Sequence, residues 1–101
     1  MVVIYREPAD PGAFDDHYFN VHVPLARQLP GLRRYDVSTR PVSTLAGDPE
    51  PYLIATLYFD DMAAMRHAFS TPEGRACARD RRVLAPNDAD LQMYLFDTTE
   101  M

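Results

Sequence analysis

The stretch FDDHYFNVHVPLARQLPGL, residues 14–32, carries the apolar periodicity of one amphipathic helix. Its apolar side chains recur three and four residues apart, which places them on a single helix face: Phe14, Tyr18, Val21, Leu25 and Leu29. Pro24 interrupts this pattern, and a proline inside a helix removes one backbone hydrogen bond and crowds the carbonyl four residues before it. We therefore expect a helix from Gly12 or Ala13 to about Leu29, with a local irregularity beside His22.

The segments outside this helix predict four strands and a second helical region. The strands are expected at Val2–Arg6, Leu32–Val42, Pro51–Phe59 and Leu91–Phe96, where β-branched and aromatic residues concentrate. Asp60 or Asp61 is expected to cap a helix, and Ser70 and Glu73 have the spacing of a capping box for a further helix from Pro72 to about Val83. The order β-α-β-β-α-β predicts an α+β, ferredoxin-like fold with a four-stranded antiparallel sheet and helices on one face.

The third predicted strand, PYLIATLYF, has almost no polar side. An antiparallel sheet with one exposed face normally alternates apolar and polar residues, so a strand that is apolar on both sides indicates two covered faces. The helices cover one face. A second copy of this short chain is the simplest cover for the other, so we predict a homodimer with two-fold symmetry.

Length and charge limit the remaining possibilities. The 101 residues suffice for a single domain, residues 1–101, and the net charge of −5 disfavours nucleic acid and anionic membrane surfaces as partners. The N-terminal MVVIYREP does not resemble a signal peptide, and no apolar run approaches the roughly 20 residues that span a bilayer. A single cysteine, Cys77, fits a cytoplasmic protein.

Three motifs resemble the signature of the EthD domain family. They are F-D-x-H-Y-x-N-x-H-x-P-L followed by P-G-L-R-R-Y (residues 14–35), P-Y-L-I-A-x-L-Y-F-D (residues 51–60), and S-T-P-E-G-R with a later Asp80. The resemblance covers nearly the whole chain and implies a ferredoxin-like monomer whose dimer closes an α/β barrel. It also implies acid–base chemistry on small oxygenated rings, as isomerase, dehydratase, decarboxylase or oxygenase, without a metal or an organic cofactor.

His22 is the candidate catalytic residue, since it corresponds to the histidine of the H-x-P-L motif. A histidine titrates near neutral pH, so it can take a proton from a C–H next to a carbonyl and return it elsewhere. The alternative is a structural histidine that is hydrogen-bonded to a backbone carbonyl loosened by Pro24.

Tyr18, Tyr35 and Tyr5 are candidate binding residues, together with Asn20 two positions before His22. A tyrosine hydroxyl can donate a hydrogen bond to a substrate carbonyl and stabilise an enolate-like intermediate. The alternative is that these tyrosines are core aromatics whose hydroxyls bond to the backbone.

His17 precedes His22 by five residues, a separation of about 140° around an α-helix. The two histidines are therefore not expected to share a face, His17 is expected to face solvent, and a two-histidine metal site is disfavoured. Glu73 and Asp80 alternate with three arginines further along the chain, which predicts a solvated helix face.

Two main functions remain open from the sequence. The first is a cofactor-independent enzyme that acts on a small cyclic or aromatic oxygenated metabolite. The alternative is a non-catalytic binding or accessory protein for a hydrophobic metabolite in a degradation or polyketide pathway. A haem-binding role is the least favoured. The motifs resemble those of EthD domains and not those of the haem-binding members of the wider dimeric α/β-barrel superfamily.

Overall fold

A computed structural model describes residues 1–47 and 50–101. A helical segment, residues 11–26, follows the first strand, and within it one turn of π-helix (Tyr18–His22, the π turn) separates two short α-helices. The elements in chain order are β1 (Val2–Tyr5), α1 (Pro11–His17), the π turn, α2 (Val23–Ala26), β2 (Arg34–Val37), β3 (Leu53–Tyr58), α3 (Met62–Ser70), α4 (Pro72–Leu84) and β4 (Leu91–Tyr94).

The four strands form one antiparallel sheet in the order β2-β3-β1-β4. In its register Val3 lies opposite Ala55 on one side and Met93 on the other. Alternate strand residues pack with the helices into one core that includes Tyr5, Leu53, Leu57, Phe14, Tyr18 and Leu29. The α+β, ferredoxin-like prediction is confirmed, although each observed strand is shorter than the predicted one.

The helical segment begins where its capping residue lies. Asp10 accepts a hydrogen bond from the backbone N–H of Ala13, and Pro11 occupies the first turn, where a missing N–H costs nothing. The predicted start at Gly12 or Ala13 is therefore one or two residues late. Within the segment, the N–H of Val23 bonds to the carbonyl of Tyr18, five residues back, instead of four.

The junction of α3 and α4 corrects the predicted cap. Thr71, and not Ser70, accepts the hydrogen bond from the backbone N–H of Gly74, while the Ser70 hydroxyl donates to the carbonyl of His67. The backbone of Gly74 passes so close to α3 that a Cβ atom added there would lie 2.5 Å from the Cα of Phe69. Gly74 thus permits the tight turn that sets the direction of α4.

The outer face of the sheet, opposite the core, carries large apolar side chains. Ile4 and Ile54 face each other there and are partly exposed, while Tyr58 and Tyr94 are 45% and 48% exposed. None of the helices in the described part of the chain is long and apolar enough to cross a membrane.

Candidate functional site

A cavity of about 460 Å³ lies between the sheet and the helices. Its walls come from all four strands and from both helical regions, and include the apolar residues Val3, Ala26, Leu57, Met65, Phe69 and Leu95. A volume in this range suits a small-molecule ligand whose few polar atoms meet specific groups on the walls. The polar side chains on the walls are those of Tyr5, Tyr18, Tyr35, His22, Arg66, Ser70 and Arg81.

His22 lies in the wall of this cavity, at the end of the π turn, with its side chain 9% exposed. Its Nδ1 lies 2.9 Å from Oδ2 of Asp80. An ionised carboxylate only accepts hydrogen bonds, so Nδ1–H donates and Nε2 keeps its lone pair. Burial lowers the pKa of His22 below its usual value, and the hydrogen bond to Asp80 partly opposes this. The imidazole is therefore neutral near pH 7 and able to act as a base.

His17 contacts the same carboxylate, with its Nε2 2.8 Å from Oδ1 of Asp80. The expectation that His17 and His22 lie on separate faces and that His17 faces solvent is thus wrong. That expectation assumed a continuous α-helix, in which each residue turns by about 100°. The π turn bonds residues five apart, which brings residues at that spacing onto one side of the helix. The His17 side chain is only 30% exposed.

Asp80 was predicted to lie on a solvated helix face, and the structure corrects this. It lies on α4 with its side chain 11% exposed, between the two histidines. From the sequence, Asp80 is seen only as a neighbour of other charged residues. Its burial results from the packing of α4 on the π turn, which the sequence does not reveal. The one available signal was its place in the third motif shared with EthD domains.

Three predicted tyrosines line the same cavity. The hydroxyl oxygens of Tyr18 and Tyr35 lie 2.6 Å apart, so one proton forms the bond between them and the other remains free to donate. The Tyr5 hydroxyl makes no hydrogen bond to another residue of the described ranges. Burial raises the pKa of Tyr35 to about 12 and that of Tyr5 and Tyr18 further, so all three are neutral donors.

Asn20 does not join these residues. It lies on the exposed side of the π turn and is not part of the cavity wall, contrary to its predicted binding role. Cys77 does line the cavity, and burial raises the pKa of its thiol to about 11, which keeps it protonated. Among the described residues, no group of three or more His, Cys, Asp or Glu side chains is arranged to hold a metal ion.

The fold and this buried histidine–aspartate site define a small ferredoxin-like domain with an internal, largely apolar cavity. The sequence model of the EthD domain matches residues 6–87, so the chain belongs to the EthD domain family. The family resemblance seen in the three motifs is thereby confirmed.

Two relatives agree with this assignment. The chain is 41% identical over 81 residues to an uncharacterized 11.0 kDa protein in the thcB-thcC intergenic region of Rhodococcus erythropolis, which covers 79% of this chain and 77% of that protein. It is also similar to a crystal structure of an ethyl tert-butyl ether d (EthD) family protein from Bacillus halodurans. That match covers 97% of this chain and 95% of the other, with 37% identity and a TM-score of 0.84.

Proposed function

We propose that this protein is a cofactor-independent enzyme that moves a proton on a small cyclic or aromatic oxygenated metabolite. His22 is the general acid/base. The observation that carries the proposal is the orientation of His22, whose Nδ1 is held by Asp80 while its ring lines an apolar cavity beside tyrosine hydroxyls. A neutral imidazole with one nitrogen fixed and the other available is the arrangement that general base catalysis requires.

The reaction begins with transfer of a proton from an acidic C–H of the substrate to Nε2 of His22. Electrons from the broken C–H bond move onto the neighbouring carbonyl oxygen and form an enolate. The negative charge of Asp80 stabilises the imidazolium that results, as in other histidine–carboxylate pairs. His22 then returns the proton to a different carbon or to a leaving oxygen, which gives an isomerisation or a loss of water.

The tyrosines support the proposed enolate. Tyr5 offers an unused hydroxyl at the cavity wall, and the Tyr18–Tyr35 pair has one proton to spare. Donors placed where negative charge develops stabilise the transition state more than the ground state. Because the hydroxyls stay protonated near neutral pH, Tyr5 and one member of the Tyr18–Tyr35 pair donate to the oxygen and leave proton removal to His22.

We also propose that two copies of the chain associate through the outer faces of their sheets. The location proposed for this dimer is the cytoplasm. Support comes from the large exposed side chains Tyr58 and Tyr94, which lie on the sheet face opposite the core. Sedimentation equilibrium tests this part: wild type is expected at twice the chain mass and Tyr94→Arg at the chain mass. A wild-type protein that sediments as a monomer at micromolar concentration contradicts it.

The proposed activity is tested with a panel of lactones, anthrones, quinones and phenols. Binding is first detected by thermal shift, since a ligand at about 100 times its Kd stabilises the fold by roughly 2.7 kcal/mol. Turnover of each ligand found is then compared between wild type, His22→Gln and the control His67→Gln, which changes an exposed histidine on α3. His22→Gln is expected to retain binding and to lose on the order of 10²–10⁴ in turnover.

Full turnover in His22→Gln contradicts the role of His22. A ligand that wild type binds but leaves unchanged during prolonged incubation favours the alternative, a non-catalytic binding protein. Haem is included in the panel, and a Soret band that disappears in single histidine variants would favour haem binding instead.

A further inference from the structure

We propose that His17 and His22 share one proton through Asp80, so that His17 at an outer cleft controls whether His22 can accept a proton in the cavity. His17 is thus a positioning residue, since it acts through Asp80 and lies outside the cavity. The inference rests on the proposed function only for what His22 does with its proton. The sharing itself is a property of the three side chains.

Asp80 holds one imidazole on each oxygen. The distances are 2.8 Å to Nε2 of His17 and 2.9 Å to Nδ1 of His22. A carboxylate carries a single negative charge and can balance a single imidazolium. A second imidazolium would leave a net positive charge in a site where the carboxylate and His22 are nearly buried, which is costly in a low dielectric. A proton on one histidine therefore opposes a second proton on the other.

The two histidines open onto different cavities. His22 lines the inner cavity described above, whereas His17 lines an outer cleft of about 530 Å³ on the other side of Tyr5. The charged groups in that cleft are Arg6, Glu7, Asp10 and Asp90. His17 is also the more exposed of the two, at 30% against 9%. Solvent protons thus reach His17 directly, while His22 meets the ligand.

Other ionisable groups bond to His22 or line the cavity with it, on each wall element that carries one. They are Tyr5 on β1, Tyr18 in the π turn, Tyr35 on β2, Arg66 on α3, and Cys77, Asp80 and Arg81 on α4. Within this set and its immediate neighbours, Asp80 raises the pKa of His22 and a charged His17 lowers it. Asp80 and His17 bond to each other, and they are also the two groups whose charges change the pKa of His22.

A consequence for catalysis follows from this competition. When His17 is neutral, the full charge of Asp80 is available to stabilise an imidazolium at His22. When His17 is protonated, Asp80 already balances that charge and His22 becomes a weaker base. Activity should therefore fall on the acidic side before His22 itself is protonated. Interacting groups of this kind titrate as a unit, in separated steps.

The test is an NMR titration of the histidine ring carbons with no substrate present. The chain has three histidines, and His67→Gln assigns the third signal and serves as the control that leaves the other two unchanged. In wild type, the His22 signal is expected to move in two steps. In His17→Gln, which keeps an N–H donor but has no titrating group, the curve becomes a single step and its midpoint rises.

Asp80→Asn completes a double-mutant cycle. Its His22 midpoint is expected to fall, and adding His17→Gln to it should produce a much smaller change than in wild type, because the shared carboxylate is gone. A single-step wild-type curve contradicts the proposal, as does an unchanged His22 midpoint in His17→Gln. If His17→Gln does not fold, the wild-type curve and the His17→Asn variant decide the question.

These outcomes are independent of any activity assay. Coupled titration without turnover of any ligand would support the shared proton and argue against the proposed enzyme. Turnover that depends on His22 without coupled titration would support the proposed enzyme and argue against the shared proton.

Discussion

The hydroxyl oxygens of Tyr18 and Tyr35 lie 2.6 Å apart and join the π turn to β2 at the wall of the inner cavity. The Tyr18 ring also lies against the His22 ring, with centroids 5.3 Å apart. The hydrogen bond therefore fixes one end of the element that carries His22. The sheet thereby restrains the position of His22, the proposed base.

Replacing either tyrosine of this pair with phenylalanine leaves the other hydroxyl without its partner. We expect Tyr18→Phe and Tyr35→Phe each to lower the free energy of unfolding by about 1 kcal/mol. The double variant should lose less than the sum of the two, because the single hydrogen bond is removed only once. Denaturant unfolding of the three variants measures this, and strictly additive losses would mean that the bond contributes nothing.

Replacing Asp80 with asparagine keeps the shape of the side chain but removes the charge that stabilises the His22 imidazolium. We expect kcat for an identified substrate to fall on the order of 10²-fold or more, with little change in KM. Steady-state kinetics of Asp80→Asn give both quantities. Asp60→Asn is the matched control, since Asp60 forms an exposed ion pair with Arg33, and it should retain activity. Equal activities in the two variants would exclude a role for Asp80.

Acid should destabilise the protein through His22. Its pKa is lowered in the folded state, chiefly by burial, so the unfolded chain binds more protons as the pH falls. The stability that neutral His22 contributes is complete above the unfolded value of 6.5 and is lost as the pH falls through the lower folded value.

Unfolding curves between pH 7.5 and 4.5 measure this slope, which should be shallower in His22→Gln. Asp15 does not interfere. The hydrogen bond from Arg40 lowers the pKa of Asp15, so its own contribution is lost only below 3.8. An identical pH dependence in wild type and His22→Gln would show that burial does not perturb His22.

Gly74 is expected to be the least replaceable glycine in the helices. A Cβ atom at this position collides with the carbonyl oxygen of Ala68 and lies 2.5 Å from the Cα of Phe69, and neither backbone atom can yield without moving α3. Gly74→Ala should therefore cost about 2–3 kcal/mol, which lowers Tm by roughly 10–20 °C in a domain of this size. Thermal unfolding of Gly74→Ala checks this.

The control for that substitution is Gly12→Ala. Gly12 also lies in a helix, but a Cβ atom there would have its nearest neighbour 3.7 Å away. Its Tm should stay the same or rise slightly, because alanine has the better helix propensity. Equal losses in the two variants would contradict the collision, because only the Cβ atom at position 74 meets backbone atoms of α3.

Much of the fold could be predicted from the sequence, because the strands and helices are set by local periodicity. The two apolar sides of residues 51–59 and the periodicity around Phe14 lead directly to the sheet and its helices. The cap of α4 was assigned wrongly, to Ser70, because Ser70 and Thr71 are adjacent and both are good capping residues. The backbone conformation of Thr71, with an extended ψ of 163°, decides between them.

The site was predicted only in part. His22 and the three tyrosines were identified because their residue types and motif positions suggest chemistry, and they do line one cavity. His17 and Asp80 were missed for different physical reasons. The position of His17 depends on a change of helical register that periodicity cannot detect, and that of Asp80 depends on the contact between α4 and the π turn.

The π turn makes the site depend on the number of residues as well as on their identity. It accommodates one more residue per turn than the surrounding α-helices. Deleting a single exposed residue such as Asn20 would allow the segment to become continuous α-helix with His17 and His22 four residues apart, a spacing that also places both histidines on one face. With every residue present, a regular α-helix would instead place the two histidines about 140° apart and separate the pair that Asp80 joins. The π turn therefore compensates for the additional residue, and the site tolerates either a π turn with five-residue spacing or an α-helix with four-residue spacing.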